Sequence, residues 1–208
     1  MKQEQDIIFL FGNNCLKELL SSYSPSEIVK SLPFRSGLSL AHRLLYNEKW
    51  DEDLQETSIK LLNELHKNYP KAWDESWEND ALLGNACNIT RKYDERYEAY
   101  KRAFEKTKNP PPGLLIELAR CCICPGPPPI SYDNAIDLVL KALKIAPYAD
   151  GIGLLSHLYS LKNDKKNEEY WTKVLKNSNQ EFVSPSIEPK FLVEEYLHER
   201  KENKNNIN

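Results

Sequence analysis

Two segments of the chain repeat one another at a separation of 39 residues. KYDERYEAYKRAFEK, residues 92 to 106, aligns with SYDNAIDLVLKALKI, residues 131 to 145, and weaker copies begin near residues 48 and 163. The best aligned pairs are Tyr93 with Tyr132, Asp94 with Asp133, Ala103 with Ala142 and Phe104 with Leu143. A repeat of this length indicates stacked supersecondary units, each of which buries an apolar face against its neighbour.

Apolar residues recur at three- and four-residue spacing along most of the chain, which is the period of an amphipathic helix. LQETSIKLLNELHKNY, residues 54 to 69, is one example, with Leu61, Leu62 and Leu65 on one side. Alternating β-branched runs are nearly absent, and short breaks with Pro, Gly or Asn separate the helical segments. The sequence therefore predicts an all-α protein built from many short helices.

YDNAIDLVLKALKIAP, residues 132 to 147, resembles the second helix of the tetratricopeptide-repeat family. The matching residues are Tyr132, Asp133, Ala135, Ala142, Leu143 and Pro147. The copy that begins at Tyr93 departs from the pattern at Arg96, where the family has a small residue, and Leu83-Gly84 matches the Leu-Gly pair of a first helix. The resemblance implies an α-α superhelix, a right-handed solenoid of antiparallel helix pairs.

The resemblance also suggests how the chain is divided. We expect residues 38–177 to form the repeats, with residues 1–37 as an N-terminal helical cap. Residues 178–200 are expected to form a strap and a C-terminal helix that caps the last repeat, as the ends of solenoids require. The polar residues 201–208 are expected to be a disordered tail.

RCCICPGPPPIS, residues 120 to 131, has an unusual composition. Its successive prolines exclude a helix and favour a stiff extended bridge. Zinc needs four ligands in tetrahedral reach, and no second cysteine pair follows Cys121, Cys122 and Cys124. We interpret Cys121 and Cys122 as small helix residues, and a cysteine-based metal-binding or redox protein stays open as an alternative.

Several classes of function lack their sequence signals. The chain has no metal-binding His pair, phosphate-binding glycine loop or Gly-x-Ser-x-Gly motif, so it predicts neither an enzyme, a cofactor nor a metal site. A net charge of −3 does not favour nucleic acid, and no apolar run approaches the roughly 18 residues that cross a membrane. The odd cysteine count and the acidic N-terminus favour a cytoplasmic protein, whose oligomeric state stays open.

Two surfaces could bind a partner. In the repeat family, first-helix side chains line a concave groove, which by resemblance would include His42, Asn85, Asn88, Arg120, Ser156 and Tyr159. The second surface is an acidic face between residues 47 and 80, where ten acidic residues outnumber four basic ones. Its candidate binding residues are Trp50, Asp51, Glu52, Asp53, Glu56, Asp74, Glu75, Trp77 and Glu78.

These surfaces predict a protein that binds another protein without catalysis. An acidic face with aromatic residues suits a basic partner, such as a toxin or an enzyme, because complementary charge speeds encounter and aromatic side chains anchor the complex. We therefore expect a stoichiometric inhibitor, such as a bacterial toxin-immunity protein. The alternative is an adaptor or chaperone that holds a peptide in the concave groove.

Overall fold

The structure is a computed structural model that describes residues 2–47, 49–178 and 182–205. Its first six helices are α1 (Lys2–Gly12), α2 (Leu16–Ser22), α3 (Pro25–Ser31), α4 (Phe34–Leu45), α5 (Glu52–Asn68) and α6 (Pro70–Asp74). The others are α7 (Trp77–Ile89), α8 (Tyr93–Lys106), α9 (Pro112–Arg120), α10 (Tyr132–Leu143), α11 (Ala149–Leu161), α12 (Lys165–Asn177) and α13 (Lys190–Asn205). No strand occurs within the described ranges, so the all-α prediction is confirmed.

The chain divides into two compact units. The first unit comprises residues 1–79 and 188–208, and the second comprises residues 80–187. The boundary between residues 79 and 80 falls inside α7. Each unit has its own buried apolar core, built from helices that are adjacent in sequence and joined by short loops.

The first unit is built on the packing of α4 against α5. Gly37 on α4 lies directly under Leu65 of α5, so that an added Cβ would come within 2.7 Å of the leucine side chain. Ser58, which is fully buried on α5, donates a hydrogen bond to the carbonyl oxygen of Ala41 at 2.7 Å. The two helices therefore approach closely, and α3 also packs against α5.

The C-terminal helix α13 packs against α4 in this first unit. The Ser39 hydroxyl donates to a Glu195 carboxylate oxygen at 2.7 Å, and the Arg35 guanidinium lies 4.2 Å from the centroid of the Phe191 ring. We expected this helix to cover the last repeat, but its described contacts are with α4. It continues to Asn205, through the first part of the expected tail, and residues 206–208 lie outside the described ranges.

The second unit contains the repeated segments. Ala135 and Ala142 on α10 are fully buried in a core that α9, α10 and α11 share, as their small side chains predict. Helix α10 ends at Leu143, ahead of Pro147, and α11 begins after Tyr148. Helix α9 ends in a 3₁₀ turn at Cys121–Ile123, and the proline-rich segment that follows is not helical, as predicted.

A strap of residues 182–187 crosses the beginnings of α9 and α11. The Ser184 hydroxyl donates to Asp150 at 2.6 Å, and the backbone N–H of Ala149 donates to the Phe182 carbonyl at 2.7 Å. Gly113 at the start of α9 leaves the room that the strap occupies, since a Cβ there would lie 2.8 Å from the Pro185 carbonyl oxygen. The strap thus holds the ends of two helices together.

Gly84 on α7 lies directly against the ring of Tyr100 on α8, and replacing it tests this packing. A Cβ at Gly84 would overlap the ring of Tyr100, which is fully buried and whose hydroxyl donates to Asn85 at 2.6 Å. Because the ring cannot move aside, we expect Gly84→Ala to lower the free energy of unfolding by about 1–3 kcal/mol, measured by urea denaturation.

Gly153 provides the matched control for this substitution. It also lies inside a helix of the second unit, but its added Cβ would be 3.7 Å from Leu175, an ordinary contact. Alanine favours helix more than glycine, so Gly153→Ala should raise stability by about 0.5–1 kcal/mol. Equal effects of the two substitutions would contradict the close approach at Gly84.

Candidate functional site

The turn before α5 presents a tryptophan to solvent. Trp50 is 63% exposed, and its backbone has a φ of 51°, in the left-handed region. A bulky side chain in this region costs roughly 1–2 kcal/mol relative to ordinary backbone conformations. An exposed indole on a strained backbone gains little from folding, which makes it a candidate for contact with another molecule.

Asn47 holds this turn through its side chain. Its amide oxygen accepts the backbone N–H of Asp51 at 2.9 Å, and its amide nitrogen donates to the Leu44 carbonyl at 2.8 Å. The backbone N–H of Trp50 donates to the Asn47 carbonyl at 3.1 Å. These bonds tie the turn to the last residues of α4, so the turn presents Trp50 from a fixed base.

Acidic side chains surround the first turn of α5. Asp51, Glu52 and Asp53 are exposed, and Glu56 is half-buried one turn further along. Asp51 is the N-cap of α5, because its Oδ1 accepts the backbone N–H groups of Asp53 and Leu54 at 3.0 and 3.1 Å. We call Trp50, Asp51, Glu52, Asp53 and Glu56 the Trp50 cluster.

The other predicted acidic residues lie at the opposite end of α5. Asp74 and Glu75 are exposed, whereas Trp77 and Glu78 are half-buried, with the Ser76 hydroxyl 3.3 Å from Glu78. The helix α5, which is about 24 Å long, lies between this second acidic cluster and the first along the chain. The predicted face is therefore two acidic clusters at the two ends of α5.

Some members of the acidic segment have structural roles. Trp73 is fully buried and stacks on His66 with ring centroids 4.9 Å apart. Asp80 is also fully buried and forms ion pairs with Arg102 at 2.9 Å and with Lys106 at 2.6 Å. Glu48 lies outside the described residues. The surplus of negative charge in sequence thus overstates the charge that faces solvent.

The predicted groove residue His42 is not on a surface. It is 3% exposed, and its Nε2 lies 3.2 Å from an oxygen of Glu188, which the Tyr46 hydroxyl also contacts. The His42 ring meets the edge of Tyr196 on α13. This histidine joins α4 to the C-terminal segment within the first unit.

Most of the other predicted groove residues bind neighbouring side chains in the second unit. Asn85 accepts the hydrogen bond from Tyr100, and Arg120 donates through Nε to Glu117 at 3.1 Å. The Ser156 hydroxyl on α11 lies 2.7 Å from that of Thr172 on α12. Tyr159 is half-buried against the core, whereas Asn88 is exposed.

The cysteine segment does not form a metal centre in the part of the chain that the structure describes. Cys121 and Cys122 are buried, and burial raises the pKa of the first thiol to about 12 and that of the second to about 11. No group of three or more His, Cys, Asp or Glu side chains within residues 2–47, 49–178 and 182–205 could hold a metal ion.

Two residues that position other side chains, Asn47 and Arg96, were not predicted as site residues from the sequence. Asn47 fixes the Trp50 turn, and the only local signal is that asparagine favours turns. Arg96 is 2% exposed and ion-paired to Glu117 at 2.9 Å, and its signal was the departure from the repeat pattern. The turn preference of asparagine and the mismatch at Arg96 do not show which side chains these two residues contact, because those contacts depend on tertiary packing.

Neither a scan against protein-family models nor a search of the curated proteins found a match for this chain. Within the described residues, no helix is both long enough and apolar enough to cross a membrane. The arguments about function therefore depend on the geometry of the two units.

Replacing Trp50 should separate its surface role from the stability of the fold. Because Trp50 is mostly exposed and glycine tolerates positive φ, Trp50→Gly should change the free energy of unfolding by less than about 1 kcal/mol. The buried Trp73 is the matched control, and Trp73→Ala should cost about 3–5 kcal/mol. Urea denaturation of both variants measures the difference, and a loss at Trp50 as large as that at Trp73 would show that Trp50 is part of the core.

Proposed function

We propose that this protein is a non-enzymatic binding scaffold that attaches to a basic protein through the Trp50 cluster. The form that we favour is a stoichiometric inhibitor, such as a bacterial toxin-immunity protein, on a tetratricopeptide-like framework of helix pairs. The observation that supports this most is Trp50, an exposed indole on left-handed backbone beside three exposed carboxylates.

The indole supplies the kind of contact that dominates binding energy. Tryptophan is enriched among the few residues that carry most of the affinity of an interface. The hydrogen bonds of Asn47 hold the turn in place before a partner arrives. A side chain presented from a fixed backbone loses less conformational freedom on binding, which leaves more of the contact energy as affinity.

The carboxylates supply the charge preference. Asp51, Glu52 and Asp53 are exposed around the same turn, and they give the cluster a negative potential that attracts a basic surface. The favourable effect of Glu52 and Asp53 on the helix dipole of α5 accounts for acidic residues here, but not for an exposed tryptophan beside them. The combination of both features favours a binding site.

The concave groove has less support as the binding surface. Recognition of a peptide needs side chains that are free to bind it, and Asn85, Arg120 and Ser156 each contact another side chain of the protein. His42 is buried. A peptide would have to displace these internal contacts, which reduces the affinity that the groove could provide.

Charge reversal at the two ends of α5 tests the proposal. The tagged protein is used to capture partners from a native lysate, and the affinity for the main captured protein is then measured with purified components. Glu52→Lys with Asp53→Lys should weaken binding by about tenfold or more, because like charges face each other, while the Asp51 cap is retained. Trp50→Gly should weaken it by a similar factor.

The matched control is Asp74→Lys with Glu75→Lys, which makes the same charge change at the second acidic cluster. It should alter the affinity by less than about threefold at physiological salt, because the helix between the two clusters is about 24 Å long and surface charges are screened over about 8 Å. Equal losses from both pairs would show that only net charge matters. Failure to capture a basic protein in one-to-one ratio would refute the proposal, and capture of many proteins with a shared C-terminal motif would favour the groove.

A further inference from the structure

A buried arginine contacts a cysteine at the edge of the proline-rich segment. The Nη1 of Arg96 donates to the Sγ of Cys124 at 2.9 Å, and its Nη2 donates to Glu117 at 2.9 Å. Arg96 is 2% exposed, and its Nε has no hydrogen-bond partner among the described residues. A guanidinium withdrawn from water, and not fully paired, is a strong source of positive potential.

The charges around Cys124 do not cancel. Glu117 accepts hydrogen bonds from Arg96 at 2.9 Å and from Arg120 at 3.1 Å, so one carboxylate is shared by two guanidinium groups. The three side chains together carry one net positive charge beside the sulfur. The thiolate is the reactive form of cysteine, and an adjacent positive charge also attracts an anionic reagent to the sulfur.

Cys124 is also the least buried of the three cysteines in this segment. It is half-buried, and the five residues after it, from Pro125 to Pro129, are exposed. The adjacent Cys121 and Cys122 are buried, and burial raises the pKa of each thiol, to about 12 and about 11. Cys121 donates to the Glu117 carbonyl at 3.4 Å. The three neighbouring thiols therefore differ sharply in environment.

We propose that Cys124 is a site of reversible S-thiolation, at which the sulfur beside Arg96 forms a mixed disulfide with a small anionic disulfide. The Cys124 thiolate attacks one sulfur of the reagent, the reagent's S–S bond breaks, and a new S–S bond to Cys124 forms. The second sulfur leaves as a thiolate and takes up a proton, which replaces the one that Cys124 released to solvent. The Cys124 sulfur is oxidised and the leaving sulfur is reduced, so no other oxidant is needed.

The mixed disulfide should persist. Cys121 has the Cys-x-x-Cys spacing from Cys124 and could displace the attached thiol, but a thiol with a pKa of about 12 is almost fully protonated at neutral pH. The product is a bulky anionic group at the start of the exposed proline-rich segment. A reducing thiol in solution would remove it and restore Cys124.

The test is the rate of modification of each cysteine in the folded protein near neutral pH, measured by peptide mass spectrometry. The probe is oxidised glutathione, an anionic disulfide, and the comparison reagent is cystamine, a cationic one. Cys15 is the internal reference, because it is also half-buried and its sulfur, like that of Cys124, contacts a backbone carbonyl oxygen, here that of Asn13. Cys124 should react with oxidised glutathione about tenfold faster than Cys15, with a stronger preference for the anionic reagent.

Two substitutions should change this rate in opposite directions. Arg120→Gln leaves the whole charge of Glu117 to Arg96 and should slow the reaction by about threefold or more, whereas Glu117→Gln should speed it. Lys108→Gln removes the same charge as Arg120→Gln at an exposed position before α9 begins, twelve residues from Arg120, and should have no effect. If Glu117→Gln does not fold, the Arg120→Gln variant and the comparison of the two reagents still test whether positive charge speeds the modification of Cys124.

Four results would overturn the proposal. Cys15 could react as fast as Cys124, modification of folded protein could appear at Cys121 or Cys122, or Arg120→Gln could leave the rate unchanged. A reduction by Lys108→Gln equal to that by Arg120→Gln would also refute it, since the effect would then come from net charge and not from the contact with Arg96.

Discussion

Close packing of neighbouring helices depends on small side chains where the helices approach each other most closely. Gly37 lies under Leu65 in the first unit, and Gly84 lies against the ring of Tyr100 in the second. Leucine and tyrosine fill the space that the missing Cβ leaves, so the apolar surface is buried without gaps. The rest of each unit follows from this contact, because it sets how far the remaining side chains of both helices reach into the core.

One position of the repeat is a small apolar residue in one copy and a charged residue in the other. Ala135 is a small buried residue of α10, and Arg96 occupies the equivalent place on α8, 39 residues earlier. A buried guanidinium needs a partner, and Glu117 supplies it. The Nη1 of Arg96 donates to Cys124, so a departure from the repeat pattern creates the polar environment of that thiol.

Binding and folding make separate demands on the acidic segment. Trp73 and Asp80 are fully buried, where they stabilise the fold, while Trp50 and the carboxylates around it stay in water. The Trp50 cluster belongs to the first unit and the Arg96–Cys124 contact to the second. The surface that we propose for a partner and the thiol that we propose for modification are therefore independent features, and each can be tested without the other.

The sequence by itself determined the helices, their breaks and the small buried residues, because local periodicity, proline and glycine act over a few residues. It also indicated an acidic segment with tryptophans and a non-helical cysteine segment. Only the tertiary structure decided that His42 is buried against Glu188, that α13 packs on α4, and that α5 separates two acidic clusters. Those outcomes depend on contacts between residues far apart in the chain, and no local pattern encodes which distant surfaces will meet.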